Sequence, residues 1–378
     1  MDIASVGKNV KAVADRWSAD LGRLGRRALD PADFATLHDA GLTLTGVPAE
    51  MGGVWQGAQR STRLVGAMFR TLARADPSVA LVATMHPTVL AIWLEEPEES
   101  PADPDAWREQ RNRVLSAAKA GEWFGTISSE PGGGGDVMAT RATAVRDREG
   151  RWCVSGDKHM GSGSGVTSFM ITIAVPEGEE SPDIFLLDTR KLPWDGTRGA
   201  TMVREWDGHG MAATQSHAFR FDGVVAERHA QQKGAVNLIP RMVPVVGYMF
   251  ASVIMGILDA ALAEARRRLQ PRAERMSAFE RVSWTKAVND IWLAEQAFEG
   301  IARTVETAAS PSGVQRGKLA ISELAEASLL AISKAIGGAS YSRSGPFGQW
   351  SQDVRALGFL RPPWSLAYDR LFEESFAD

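Results

Sequence analysis

The sequence predicts an α+β protein of three successive units, helical, then β, then helical again. Three observations predict it. The chain has 378 residues, more than one domain of about 100–200 residues holds. Apolar residues recur at helical spacing before residue 121 and again beyond residue 231. Between them lie short alternating runs separated by Gly, Ser and Asp, the pattern of strands and tight turns. The units are placed at 1–120, 121–232 and 233–378.

In the first unit, Asp30-Pro31 reads as an N-cap followed by proline at the first helical position, and Gly41 as a stop. Leu64, Val65, Met68 and Leu72 make a helical stripe within 61–75, and 78–94 is a largely apolar helix. An amphipathic helix over 105–120 stops at Gly121. In the second unit, 139–145 and 151–154 form a hairpin around Arg148-Glu149-Gly150. The runs 169–175 and 183–187 are strands, and 218–221 is a strand closed by Asp222-Gly223. The third unit has long helices over 242–270 and 278–309. A further helix is capped by Ser310-Pro311 and runs to Gly337-Gly338, and a short one starts near Pro363. Long helices with short connections suggest a bundle.

Composition narrows the function. With 44% hydrophobic and 23% charged residues, the chain is globular rather than disordered. A net charge of −4 gives no basic field, so nucleic acid is not an expected partner. Cys153 is the one cysteine, and the six histidines have neither HxxH nor HExxH spacing. No disulfide, iron–sulfur cluster or metal site is expected. The N-terminal residues lack the apolar core of a signal peptide. The uncharged stretch Met242–Leu258 is shorter than the ~20 residues of a membrane span and reads as the start of a buried bundle helix. A cytoplasmic protein without a membrane partner is expected.

Four glycine-bearing segments stand out. Gly208-His209-Gly210-Met211-Ala212-Ala213 matches a dinucleotide fingerprint on paper, but an alternating run follows it where a helix is required. Gly161 to Gly165 likewise lacks a following helix. The segment Ser128-Ser129-Glu130-Pro131, then four glycines and Asp136, is more informative. Its backbone can approach a cofactor closely and offer free N–H groups, although a flexible turn has the same composition. Gly156 to Gly163 sets small hydroxyl residues in a turn before a strand, suited to hydrogen bonding with a ring. His86, on an apolar helix, reads as a structural histidine. His159 and His217 flank the same segments. Arg266-Arg267-Arg268 reads as a solvated helix face.

The order of these pieces resembles the acyl-CoA dehydrogenase superfamily along essentially the whole chain. Val47 to Gly53 (VPAEMGG) is similar to that family's PEEYGG turn. SSEPGGGGD resembles TEPGAGSD, and GDKHMGSGS resembles GxKxWITNG. Trp206 to Val224 resembles the MGxRxS…FxxV stretch. Ile336 to Tyr341, with Pro346 and Asp353, resembles FGGxGF…P…RD. The resemblance implies an N-terminal helical domain, a middle β-barrel or sandwich and a C-terminal four-helix bundle. It implies FAD, with FMN as the alternative, bound between barrel and bundle in a homotetramer or homodimer.

Its cofactor contacts fall on particular residues here. The resemblance places Ser128 and Ser129 where the family meets the pyrimidine edge of the flavin, and Gly135 where it has a serine on the pyrophosphate, which leaves only the Gly135 N–H for that contact. Met160 stands where a tryptophan covers the ring, and Ser162 where a threonine lies near flavin N5 and O4. Arg272, Gly337 and Gly338 fall where the family's residues reach a neighbouring subunit's FAD, and Lys334 replaces a glutamine there.

The departures concern catalysis. The position of the family's glutamate base is Arg361, and the alternative position near Val246-Gly247 is uncharged. An arginine stays protonated, so Arg361, the catalytic candidate, is expected to hold an anionic substrate or oxyanion. The first reading is an FAD-dependent oxidoreductase acting on an acyl-CoA or related thioester, with an electron-transfer flavoprotein as partner. Gln352-Asp353-Val354-Arg355 and Ser162-Gly163 resemble the other branch, the two-component flavin monooxygenases, which use a flavin reductase and O₂. Their usual histidine is missing too. A non-catalytic family member is the third reading.

Overall fold

The computed structural model describes residues 1–94, 101, 103–231, 234–309, 311–360 and 364–376. Among these residues the α-helices that come first are α1 (Ile3–Trp17), α2 (Pro31–Asp39), α3 (Ala58–Ala73), α4 (Pro77–Leu94) and α5 (Pro104–Lys119). Their starts are written in the sequence. Asp2, Asp30 and Asp103 each turn a carboxylate onto a free N–H of the first turn. In α4 every residue from Pro77 to Trp93 is buried. An all-round apolar helix requires burial on every side.

Seven strands follow: β1 (Phe124–Thr126), β2 (Thr143–Arg146), β3 (Trp152–Gly161), β4 (Phe169–Pro176), β5 (Asp183–Asp188), β6 (Ala200–Arg204) and β7 (His217–Arg228). β4 pairs with β2, β2 with β3, β3 with β7 and β7 with β5. The antiparallel β4–β5 ladder then closes the ring into a barrel. β1 adds to β4 and β6 to β7. Val154, Met170, Phe185, Leu187, Phe219 and Phe221 fill its core. The strand expected to end at Asp222-Gly223 continues to Arg228. Asp222-Gly223 is a kink within β7, and its partner β3 shifts register between Val154 and Gly156. This is a bulge, which bends a strand without ending it.

The last helices are α6 (Gly234–Leu269), α7 (Ala278–Glu306), α8 (Ser312–Ile336), α9 (Phe347–Gly358) and α10 (Trp364–Glu374). Ser277 and Glu280 form a capping box at the start of α7. Ser310, the expected cap of α8, lies outside the described residues. α6 begins before the expected Met242 and runs through Pro240 and Pro244. Each proline removes one ladder bond, and the freed carbonyls of Val236 and Pro240 sit on exposed residues that water can reach. α4 and α6 are long and apolar enough to cross a membrane, yet 94% and 83% of their apolar windows are buried inside this fold. They pack on one another and, with α3, make one core shared by the N-terminal helices and the bundle. Arg70 of α3 reinforces it, pairing with Asp259 of α6 and Glu295 of α7 at 2.7 and 2.8 Å.

Candidate functional site

The two glycine-bearing segments lie side by side at one mouth of the barrel. His159 N–H donates to Ser129 O at 2.7 Å. Below that bond the segments are locked by a buried ion pair. Lys158 Nζ donates to Glu130 Oε1 at 2.7 Å and to Ile173 O at 2.6 Å. Glu130 also accepts from the Thr140 hydroxyl and from Arg141 N–H. Burial alone would raise the Glu130 carboxyl, but Lys158 and these donors outweigh it and hold it below the usual range. Glu130 therefore faces the barrel wall.

Beyond the lock, the backbone turns at Met160 (φ 58°) and again at Gly163 (φ 81°). A Cβ on Gly163 would stand 2.6 Å from Val82 Cγ1 of α4, so this turn needs glycine to lie against the helix. The turn and the strand ends border a cavity of about 250 Å³. One wall is hydroxyl-rich: Thr126, Ser128, Ser129, Ser162 and Ser216. The opposite walls are apolar, from Leu81 and Met85 of α4, Phe250 of α6, and Leu357, Phe359 and Leu360 at the end of α9. Trp206 and Met211 close one side. Among the described residues that line it there is no Asp, Glu, His, Lys, Arg, Cys or Tyr.

The hydroxyl wall is hydrogen-bonded within itself. Ser162 Oγ and Ser216 Oγ are 2.7 Å apart, as are Ser216 Oγ and Thr214 Oγ1. Thr214 Oγ1 donates to Met211 O at 2.8 Å. Thr126 and Ser128 hydroxyls are 3.0 Å apart.

Two buried groups hold α9 against this site. Asp353 accepts from Met211 N–H at 2.6 Å and from Gln349 Nε2 at 2.8 Å. The loop comes so close that a Cβ on Gly210 would lie 2.0 Å from Gln352 O. Lys318 of α8 donates to Gly358 O at 3.0 Å and to Leu360 O, satisfying carbonyls at the end of α9. Burial pushes Lys318 down to about 8.

Burial pushes the Asp353 carboxyl up to about 7, against the two donors that favour its charged form. A raised carboxyl binds its proton more tightly folded than unfolded. Its stabilisation is therefore present at low pH and is lost as pH rises from the unfolded value of 3.8 through about 7. Asp353→Asn keeps an acceptor and removes the charge. Its stabilising effect in urea unfolding should be ~2–3 kcal/mol larger at pH 8 than at pH 5. An equal effect at both values would show that Asp353 titrates normally.

Of the residues expected to meet a cofactor, Ser128, Ser129, Met160 and Ser162 gather around this cavity. Gly135 (φ 87°) lies in the glycine run beyond its lining. Arg272 stands apart, paired with Glu280 at 2.6 Å and donating to Ala335 O at 3.0 Å. That bond brings it next to the end of α8, where Gly337 and Gly338 have open space around them. Arg361 lies outside the described residues.

His86 is structural, as expected. Its Nε2 is 2.9 Å from Thr43 O, its Nδ1 accepts from Phe124 N–H, and burial pushes it down to about 4. His217 Nδ1 accepts from Trp206 N–H, and burial lowers its pKa. Sequence reasoning did not find Leu81, Met85, Phe250 or the α9 end, which come from distant helices. Ser216 and Met211 lie within the Trp206–Val224 stretch already singled out.

Known proteins share part of this sequence and its fold. Residues 125–224 match the family described as acyl-CoA dehydrogenase, middle domain. A dibenzothiophene monooxygenase of Mycolicibacterium goodii is 28% identical over 252 residues, 63% of this chain and 55% of that protein. The amino sugar nitrososynthase DnmZ of Streptomyces peucetius is 27% identical over 255 residues, 60% of each. The match thus spans less than two thirds of either relative. The FMN-bound crystal structure of TdsC from Paenibacillus sp. A11-2 superposes with a TM-score of 0.77 at 17% identity, covering 98% of this chain and 97% of that one. Residues 125–224 thus match the middle domain of the acyl-CoA dehydrogenase family, and the chain as a whole shares its fold with TdsC.

Proposed function

We propose that this protein is a flavin-dependent monooxygenase that receives reduced flavin from a separate reductase and uses O₂ on a small-molecule substrate. The observation that carries the reading is the cavity lining. Abstraction of an α-proton needs a base within hydrogen-bond reach, and the described lining offers hydroxyls and apolar side chains only. The sequence feature that favoured a dehydrogenase, Glu130-Pro131, lends it no support, because Glu130 is committed to Lys158. The names of the two relatives, a monooxygenase and a nitrososynthase, point the same way.

The residues present fit a flavin. A hydroxyl wall suits the polar edge of its ring system, and apolar walls suit its flat face and a substrate beside it. Ser128, Ser129 and Ser162 would hold the edge and Met160 would cover it. Reduced flavin, when bound, supplies the two electrons that activate O₂, so that one oxygen atom enters the substrate and the other leaves as water. Leu81, Met85, Phe250, Leu357 and Leu360 exclude water from that chemistry. Asp353 and Lys318 hold the walls in place. Arg361 keeps its assignment as a group that binds negative charge. Gly135, Arg272, Gly337 and Gly338 keep theirs as contacts to a cofactor shared between copies of a homo-oligomer. FMN and FAD both fit the ring-edge contacts. Cytoplasmic localisation belongs to the same reading.

The test mixes the protein with reduced FMN or FAD, ¹⁸O₂ and a panel containing dibenzothiophene and indole. Incorporation of one ¹⁸O per product is the expected result. Bleaching of bound oxidised flavin by an acyl-CoA under argon would establish the dehydrogenase instead.

A further inference from the structure

The hydroxyl chain behind the cavity has a direction. Met211 O is a carbonyl and can only accept. It accepts from Thr214 Oγ1 at 2.8 Å and from Trp206 Nε1 at 2.9 Å. Thr214 is fully buried, and its single hydroxyl hydrogen is used on that carbonyl. Reversing the bond would set two oxygens 2.8 Å apart with no hydrogen between them, a cost that a buried site cannot pass to water. Thr214 Oγ1 must therefore accept from Ser216 at 2.7 Å. Ser216 has then spent its hydrogen and must accept from Ser162 at 2.7 Å. Ser162 has spent its hydrogen in turn. What it retains for the cavity is lone pairs.

We propose that Thr214 and Ser216 are positioning residues that orient the Ser162 hydroxyl as an acceptor toward the cavity, making the site selective for a ligand that offers N–H at that point. The proposal rests on the flavin reading above. It deepens that reading by naming what sets the preference. Reduced isoalloxazine carries a hydrogen on N5 and the oxidised ring carries only a lone pair there. An outward-accepting Ser162 stabilises the first and repels the second. The selectivity is a property of the chain's hydrogen-bond polarity and comes from two residues behind the one that touches the ligand.

The test compares dissociation constants for reduced and oxidised FMN, measured anaerobically, in wild type, Thr214→Val and Thr214→Ser. Valine keeps the shape of threonine and removes the hydroxyl. Ser216 is then free to turn its hydrogen toward Ser162, and Ser162 to turn its own outward. Wild type should bind reduced FMN more tightly than oxidised FMN. Thr214→Val should cut that ratio by ~10-fold or more, and Thr214→Ser should restore it. Each tenfold change lowers the midpoint potential of the bound flavin by about 30 mV for a two-electron couple, which gives a second readout free of turnover. Thermal unfolding of the three proteins separates this from a general loss of structure, which would weaken both redox forms alike.

An unchanged ratio in Thr214→Val overturns the assignment while leaving the flavin site standing. Failure of wild type to bind either form overturns the flavin reading, and this proposal with it.

Discussion

Replacing Lys158 by methionine should destabilise the protein by about 3–5 kcal/mol, the usual cost of leaving a buried charge without its partner. The lysine side chain is 0% exposed and that of Glu130 is 8% exposed, so water can reach little of what remains. What is left to Glu130 is the Thr140 hydroxyl, the N–H groups of Arg141 and Ala142, and the exposed Arg141 guanidinium at 4.0 Å, which soften the loss. The lock joins the Ser128-Ser129 segment to β3, so its failure should also loosen the bond from His159 N–H to Ser129 O. The urea midpoint of Lys158→Met measures the first effect. The double variant Lys158→Met, Glu130→Gln, which leaves no buried charge, should recover most of it. A loss below ~1 kcal/mol in the single variant would show that the pair behaves as an exposed one.

Gly210→Ala should be as damaging for a different reason. The new methyl would stand 2.0 Å from Gln352 O and 2.5 Å from its carbonyl carbon. Both belong to the backbone of α9, which cannot rotate away as a side chain can. The loop must retreat, and Met211 N–H then leaves Asp353. A buried carboxyl stripped of a donor costs ~1–3 kcal/mol, and the lost packing between loop and helix adds to it. We expect a total of about 3 kcal/mol or more. Gly348→Ala is the control: it is the second residue of α9, with nothing within 4 Å of a new Cβ, and exchange of Gly for Ala in a helix favours folding by at most about 1 kcal/mol, less in the first turn. Thermal unfolding of the two variants side by side checks both. Equal stabilities would mean that loop and α9 are not in contact.

The parts of the fold legible in the sequence were those set by local physics. Asp30-Pro31 starts α2 because the cap and the fixed proline dihedral act within one turn. β4 and β5 were legible as continuous apolar runs. β1 and β6 were not, because strands of three and five residues owe their existence to β4 and β7. No local run showed the barrel closing, and only the family resemblance implied a barrel or sandwich, because the β4–β5 and β5–β7 ladders are decided by the ring as a whole. At the site, Ser128, Ser129, Met160 and Ser162 stood out because each segment is contiguous in the chain. The walls from α4, α6 and α9 are tertiary. No local pattern distinguishes Leu81 or Phe250 from any other core residue. Glu130 shows the opposite error. Its neighbours suggested chemistry, while its carboxylate serves the barrel.

The burial of α4 also has a consequence for the making of this protein. The helix has no polar face, and its partner α6 begins only at Gly234. A ribosome adding ~5–20 residues per second needs roughly 7–30 s to travel from the end of α4 to the start of α6. Throughout that interval the most apolar helix of the N-terminal half has emerged without the surface it is built to cover. The nascent chain must shelter it, by provisional collapse on α3 and the barrel or by a chaperone. Truncation anywhere between the two helices would leave that surface permanently exposed and prone to aggregation.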